Sequence, residues 1–258
     1  MEYTTIGYAV RDGVAVIMLN RADVMNALNA QMRSEITDAM TRAEQDARVV
    51  VLTGAGKAFC SGQDLTDGGS AVALDLEKTL RDEYVPMLRA IIDCKIPTIA
   101  AVNGPAAGAG ANLALVADVV IASEDAYFVQ AFTRIGLIPD AGGTHILPRQ
   151  VGLARAMGAM LFADKISAEQ AAQWGMIYEV VSNDDFVSHY TARAVQLAQG
   201  PTKTYGYLKD ALRATYDNSF DEQLGLEAKL QGQCGHTDDF KEGIVAFLEK
   251  RRPNFTGR

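Results

Sequence analysis

The chain of 258 residues is 48% hydrophobic and carries a formal net charge of −8. That length admits one large domain or two small ones, and the apolar fraction argues for a sizeable core and against disorder. The acidic balance argues against nucleic acid and anionic membrane surfaces as partners, because both call for a basic face; an anionic ligand would have to be met by local basic groups.

The chain starts "MEYTTIGYAVRDG", with no basic segment leading into an apolar run, so no signal peptide is expected. "YAVRDGVAVIMLN" reads as a hairpin turning at Asp12-Gly13, a favoured tight-turn pair. "NAQMRSEITDAMTRAEQD" predicts an amphipathic helix with Asn29 as its N-cap. "RVVVLTG" has the continuous apolar run of a strand buried on both faces. "GGSAVALDLEKT" reads as a mobile loop, and "LRDEYVPMLRAIIDC" as a helix disturbed at Pro86. "PTIAAVNG" is a second buried strand, "GANLALVA" a helix after it, and "DVVIAS" a third strand.

From Thr144 onward helices dominate, with "MIYEVV" as one isolated strand among them. "SAEQAAQWG" opens with Ser167 and Gln170 at capping-box spacing and stops at Gly175. "PTKTYGYLKDALRATY" has Pro201 at a first-turn position. This alternation predicts an α/β core over residues 1–200 and a helical subdomain over 201–258, with no fixed-period repeat. No apolar stretch reaches about 18 uninterrupted residues, so no membrane span is expected. Cys60, Cys94 and Cys234 are an odd, sparse set without CxxC spacing. They predict a reducing compartment, without a disulfide framework or a zinc site, and a cytoplasmic protein fits all of this.

Two stretches, "VVVLTGAGKAFCSGQDL" and "TIAAVNGPAAGAGANLAL", each run from buried strand through glycines into a helix. The first is no phosphate loop: Gly56-Lys57 is followed by Ala58, and Val51 stands where an earlier glycine is needed. Neither is a dinucleotide fingerprint, because Phe59 and Leu113 occupy the third glycine positions. Small residues let a ligand approach the backbone, and a helix start leaves N–H groups unpaired. Two such turns could aim two N–H donors at one oxygen as an oxyanion hole; close packing of strand on helix is the alternative. "IGLIPDAGGTH" raises a related question, since it places a single carboxylate, Asp140, between a proline and small residues. Local composition alone reads this as a turn.

"GKAFCSGQDL", "AVNGPAAGAGANLAL", "GLIPDAGGT" and the terminal "EGIVAFLEKRRPNF" together resemble the crotonase, or enoyl-CoA hydratase/isomerase, superfamily over essentially the whole chain. "VQAFTRIGLIPDAGGT", "LPRQVGLARAMG", "SAEQAAQWGMIYEVV" and "NFTGR" are most similar to its branch that converts a ring-1,2-epoxide of phenylacetyl-CoA into an oxepin thioester in bacterial phenylacetate degradation. The resemblance implies a crotonase/ClpP-like fold of stacked ββα units, with C-terminal helices that build trimers, often paired as hexamers. It implies acyl-CoA thioester substrates, no metal, and no cofactor apart from the coenzyme A that belongs to the substrate. The oxyanion donors carry over to the backbone N–H groups of Gln63 and Ala109. Ser61, Asp64 and Leu65 fall in the strip that receives the adenine end of CoA. Phe247 and Lys250 match positions that reach CoA from a neighbouring subunit. The basic residue of the family's early "NRP" motif is replaced by Asp23, with Arg21 either a substitute or a surface charge.

One departure bears on the chemistry. The two water-handling glutamates of the family's hydratases fall at Asn112 and Phe132, which can neither titrate nor position water as a carboxylate does. Asp140 is the acid left at a family active-site position, so the resemblance implies an isomerase in which Asp140 shuttles a proton. The rivals are an ordinary hydratase with unusual residues, a dehalogenase-type enzyme with Asp140 as nucleophile, and a non-catalytic RNA-binding protein that the net charge disfavours. His145 could orient a group in the pocket or be structural. Cys60 reads as a small packed residue rather than a nucleophile, Asp64 as structural or at the CoA edge. Phe59, Phe128 and Trp174 read as core. Lys250-Arg251-Arg252 is the best local candidate for meeting CoA phosphates.

Overall fold

A computed structural model describes residues 2–66 and 75–258. The hairpin forms as read: β1 (Ile6–Arg11) pairs antiparallel with β2 (Val14–Leu19). Asp12 and Gly13 both take positive φ, 52° and 76°, as a mirror-image two-residue turn requires. Helix α1 (Ala30–Asp46) begins at Asn29, whose Oδ1 accepts the Met32 N–H at 2.9 Å. Its buried face of Met32, Ile36, Ala39, Met40 and Ala43 recurs at helical spacing.

Strands β3 (Val49–Gly54), β4 (Thr98–Val102), β6 (Val119–Ser123) and β9 (Glu179–Val181) extend the hairpin into a six-stranded sheet ordered β1-β2-β3-β4-β6-β9. Every pairing beyond the hairpin is parallel. Both faces of the central strands are covered, which is why they lack alternation. Val50 and Leu52 of β3 point into the main core with α1, whereas Val49 and Val51 join Ile99, Ile121 and Phe186 beneath α8 (Phe186–Ala198). The strand read at "MIYEVV" forms over Glu179–Val181 and joins this sheet at its edge. A second, three-stranded sheet of β5 (Ala106–Ala107), β7 (Tyr127–Val129) and β8 (Ile166–Ser167) was not expected; its strands are too short to carry a period.

Other departures are local. Of the stretch read as a mobile loop, residues up to 74 lie outside those described, and its end forms helix α2 (Leu76–Thr79), capped by Asp75. The disturbance in the following helix is a π-turn, Leu80–Tyr84, lying before Pro86 rather than at it; α3 (Val85–Ile92) takes Pro86 in its first turn, where the missing N–H costs little. Pro201 stands one residue outside α9 (Thr202–Ala214), at the capping position. Ser167 Oγ caps α7 (Ala168–Gln173) by accepting the Gln170 N–H at 3.1 Å. Phe59 and Phe128 are fully buried as read, while Trp174 is only partly buried, with Arg155 over its ring. Helices α10 (Phe220–Gly235) and α11 (Asp238–Leu248) complete the C-terminal region. The last residues fold back onto the core, where Arg48 holds the Phe255 carbonyl and Asp239 accepts the Thr256 and Gly257 N–H groups. No helix among the described residues is long and apolar enough to cross a membrane.

Candidate active site

The two glycine turns interlock. Between β3 and the first turn, buried Asn26 donates to the carbonyls of Ala55 and Ala58 at 2.9 and 2.8 Å and accepts the Arg21 N–H. Downstream, Leu28 takes part in a parallel bridge with Gln63: its N–H donates to the Gly62 carbonyl at 2.8 Å and its carbonyl accepts the Asp64 N–H at 3.1 Å. In a parallel bridge the neighbours of the paired residue make the bonds. The N–H of Gln63 therefore points away from Leu28, toward the second turn.

That second turn leads into α4 (Ala109–Leu115), whose first N–H belongs to Ala109. A Cβ on Gly62 would lie 2.8 Å from the Ala107 carbonyl oxygen and 3.4 Å from the Ala109 nitrogen; one on Gly110 would lie 2.3 Å from the Cys60 carbonyl oxygen. Only hydrogen-sized side chains allow this approach. The two N–H groups carried over by resemblance are brought side by side, and neither has a partner among the described residues.

Asn112, one turn into α4, donates Nδ2 to the Asp140 carbonyl at 2.7 Å, and Gln130 fixes its amide by donating to Oδ1 at 2.8 Å. The Asp140 carbonyl also accepts the Gly143 N–H at 2.9 Å, just where α5 (Gly143–Val151) begins. The Pro-Asp turn therefore uses the backbone of Asp140 and leaves its carboxylate out. Oδ1 is buried without a hydrogen-bond partner among the described residues. Burial raises the carboxyl pKa from 3.8 to about 6, opposed only by the residue's own N–H. The buried Phe132 ring lies against the second turn, 3.8 Å from where a Gly108 Cβ would stand. Gln63, Ala109, Asn112, Phe132 and Asp140 thus converge from four separate segments.

The remaining candidates lie elsewhere or are already engaged. Asp64 is 7% exposed; Thr66 and Arg21 hold its carboxyl below the usual range, with Arg21 Nη1 at 2.8 Å. Arg21 is thus no free surface charge. Ser61 and Leu65 are exposed beside the first turn. Phe247, 82% exposed, and Lys250 at the end of α11 make no described contact with the turns of this chain. Arg251 is committed to Glu242 and Glu249, whereas Lys250 and Arg252 of the basic run have no ion-pair partner among the described residues. His145 faces a different groove, beside Ile146, Arg149 and Tyr216. The Cys60 thiol is fully buried, donates to the Asn26 carbonyl, and is pushed up to about 12 by burial, which removes its nucleophilicity.

Sequence reasoning missed Asn26, Gln130, Arg33 and Tyr84. Arg33 carried a signal: a cation in α1 beside the apolar face of Met32 and Ile36 needs a buried partner. Its Nη1 donates to Gln63 Oε1 at 2.9 Å, and its Nε and Nη2 bind Glu83.

Comparison with known proteins agrees with this arrangement. The sequence profile described as enoyl-CoA hydratase/isomerase matches residues 9–258. A probable enoyl-CoA hydratase of Rhodobacter capsulatus is 60% identical, with 100% of both chains covered. The 1,2-epoxyphenylacetyl-CoA isomerase of Escherichia coli is 44% identical over 96% of this chain and 97% of its own. The solved enoyl-CoA hydratase of Bacillus anthracis superposes with a TM-score of 0.92 at 31% identity, covering 99% of this chain and 100% of that one. The interlocked turns, the profile and these relatives lead to one conclusion: the chain belongs to the enoyl-CoA hydratase/isomerase, or crotonase, family of enzymes that act on CoA thioesters.

Proposed function

We propose that the enzyme is an acyl-CoA isomerase that moves a proton along a thioester-conjugated system, with a ring-1,2-epoxide of phenylacetyl-CoA, converted to the oxepin thioester, as its substrate. The observation that carries this reading is the half-buried Asp140 carboxyl, whose Oδ1 has no hydrogen-bond partner among the described residues, next to an oxyanion turn whose other two positions for acids hold Asn112 and Phe132. The thioester carbonyl sits between the N–H groups of Gln63 and Ala109. Asp140 takes the proton from the carbon next to the carbonyl, the electron pair moves onto the thioester oxygen, and the two donors stabilise the enolate. The protonated Asp140 then returns the proton further along the system. The same steps shift a double bond from the β,γ to the α,β position. In the ring-epoxide the σ bond between the two oxirane carbons also breaks, and its electron pair enters the ring double bonds as the carbocycle opens to the seven-membered oxepin. No net oxidation or reduction occurs, so the cycle calls for no redox cofactor. The 44% identity to an epoxyphenylacetyl-CoA isomerase supports the substrate; the 60% identity to a probable hydratase supports the rival.

Hydration separates the two. Asn112 already spends its amide on the Asp140 carbonyl and Phe132 has no polar atom to offer, so neither can activate water. Crotonyl-CoA should keep its conjugated absorbance, while a β,γ-unsaturated acyl-CoA should gain it. Hydration of crotonyl-CoA well above an Asp140→Ala background would overturn the isomerase reading.

The base must be ionised, and its pKa is raised. Activity should therefore be full above neutrality and should fall as pH drops through about 6, with kcat/KM following one ionisation. A profile flat from pH 5 to 8 would remove Asp140 from the rate-limiting step.

The CoA strip at Ser61, Asp64 and Leu65, and its completion by Phe247 and Lys250 of a second copy, belong to the same reading. Phe240, Ile244, Phe247 and Leu248 of α11 are all exposed, as are Leu212, Tyr216 and Phe220 around α9 and α10. So large an exposed apolar surface calls for burial between copies, which is the support for a homotrimer or a hexamer of two trimers. Light scattering at micromolar concentration should give a trimer mass or a multiple of it; a monomer would break the shared site.

A further inference from the structure

Gln63 differs from a plain oxyanion donor in having its side chain engaged. Its Oε1 accepts two hydrogen bonds, from the Tyr84 hydroxyl at 2.6 Å and from Arg33 Nη1 at 2.9 Å. Arg33 is 2% exposed, spans Leu28 and Gln63 through the same Nη1, and is held at its far end by Glu83. Tyr84 is 3% exposed, with the Arg33 guanidinium 5.0 Å from its ring centroid. Glu83 and Tyr84 are adjacent in the π-turn, where one extra residue per turn changes the direction in which side chains leave the helix.

The peptide that carries the Gln63 N–H has Gly62 at its other end, at φ +96°. Glycine sets no preference there, so the tilt of that peptide must be fixed from outside. The Leu28 ladder fixes one side. The Gln63 side chain, clamped by a cation and a phenol, is the fixed point on the other. Burial pushes the Tyr84 phenol pKa up and outweighs the lowering by the Arg33 charge, with the Asp140 charge a smaller raising influence, so the hydroxyl keeps its proton and stays a donor.

We infer that Tyr84 is a positioning residue for the thioester: through the Gln63 side chain it sets the angle at which the Gln63 N–H meets the carbonyl oxygen. The inference rests on the oxyanion part of the proposed function and not on the role of Asp140. Misaligning one preorganised donor weakens the enolate more than the bound substrate.

The test uses the full-length protein with phenylacetyl-CoA labelled with ¹³C at the carbonyl. Infrared difference spectra read the polarisation of the bound carbonyl, and deuterium wash-in at the adjacent carbon reads enolate formation. Tyr84→Phe removes one hydroxyl and keeps the ring. It should lose about half of the parent's carbonyl shift and slow exchange about tenfold, with KM within about twofold. Gln63→Met, of matched length and without an acceptor, should show the same loss, and adding Tyr84→Phe to it should change exchange by less than about twofold. Arg33 serves both residues, so thermal midpoints are recorded alongside. A parent-like carbonyl band and exchange rate in Tyr84→Phe overturn the inference. So does an undiminished tenfold effect in the Gln63→Met background, which would mean Tyr84 acts without Gln63. Asp140→Asn should lose exchange but keep the carbonyl shift. If the parent shifts the carbonyl without exchanging the proton, the isomerase reading fails and the band alone decides the inference.

Discussion

Asp140→Asn is expected to lower turnover about 10²–10⁴-fold with little change in KM, the usual share of a positioned general base. The amide keeps the volume of the side chain and cannot take a proton. The turn itself should survive, because Asn112 and Gly143 hold the carbonyl of residue 140 and not its carboxylate. Thioester binding should survive too, since the N–H groups of Gln63 and Ala109 are untouched. The variant should also be more stable than the parent at neutral pH. A carboxyl raised from 3.8 to about 6 is favoured in its protonated form by the fold. That contribution is fully present below about pH 4 and is lost as pH rises through about 6. At pH 8 the ionised group is a cost, which asparagine removes. Discounted for partial exposure, the gain is about 1–2 kcal/mol, and it should shrink toward zero in acid. A stability gain paired with a loss of turnover is the signature of a strained catalytic group; a turn residue would lose stability and keep its rate. Deuterium exchange at the carbon next to the thioester carbonyl decides it. An Asn variant that exchanges at the parent rate reduces Asp140 to a turn residue.

The parts of the molecule legible in the sequence are those governed by neighbours along the chain. Asp12-Gly13 specifies its turn through two positive φ angles, Asn29 specifies the start of α1 through one side-chain bond, and Val49–Leu52 specifies a buried strand through composition. The π-turn at Leu80–Tyr84 was not legible. Pro86 announces a disturbance, but where the extra residue is absorbed depends on what Glu83 and Tyr84 meet across the fold, namely Arg33 and Gln63. The strands β5, β7 and β8 carry two or three residues each and are fixed by partners, as Cys60 is by Ala106.

The site divides the same way. Asp140 was visible because its motif is contiguous, and so were the glycines that frame Gln63 and Ala109. What could not be read was that Asn112, placed only by resemblance, ties the Asp140 turn to the helix that carries Ala109. That link depends on a contact between positions 28 residues apart. Asn26 is similar: two of its three side-chain hydrogen bonds hold the first turn, at Ala55 and Ala58, from a segment 29 to 32 residues earlier, and the third ties it to Arg21.

Gly110→Ala should damage turnover more than stability. Its Cβ would stand 2.3 Å from the Cys60 carbonyl oxygen, 2.7 Å from the Cys60 carbonyl carbon and 2.7 Å from its sulfur. Two of those atoms are backbone, and that carbonyl already accepts the Ala107 N–H at 2.9 Å, so it cannot swing aside. The strain can be relieved only by moving the first turn away from α4. Those two elements carry the two proposed oxyanion donors, Gln63 on one and Ala109 on the other. Overpacking of this kind costs about 1–3 kcal/mol of stability, which a domain of this size survives. The chemistry should suffer more. Separating two donors aimed at one oxygen amounts to losing one of them, about 10²–10³-fold in kcat. Gly158→Ala is the control. Gly158 lies inside helix α6 (Leu153–Phe162) with no heavy atom within 4 Å of its added Cβ. There the methyl should raise stability by up to about 1 kcal/mol through helix propensity and leave the rate alone. The comparison is made on proteins shown to be folded by near-ultraviolet circular dichroism, with the carbonyl shift of bound phenylacetyl-CoA measured in each. A folded Gly110→Ala enzyme with the parent's carbonyl shift and turnover would mean that the close approach of the two turns serves packing alone, and the oxyanion site would have to be sought elsewhere.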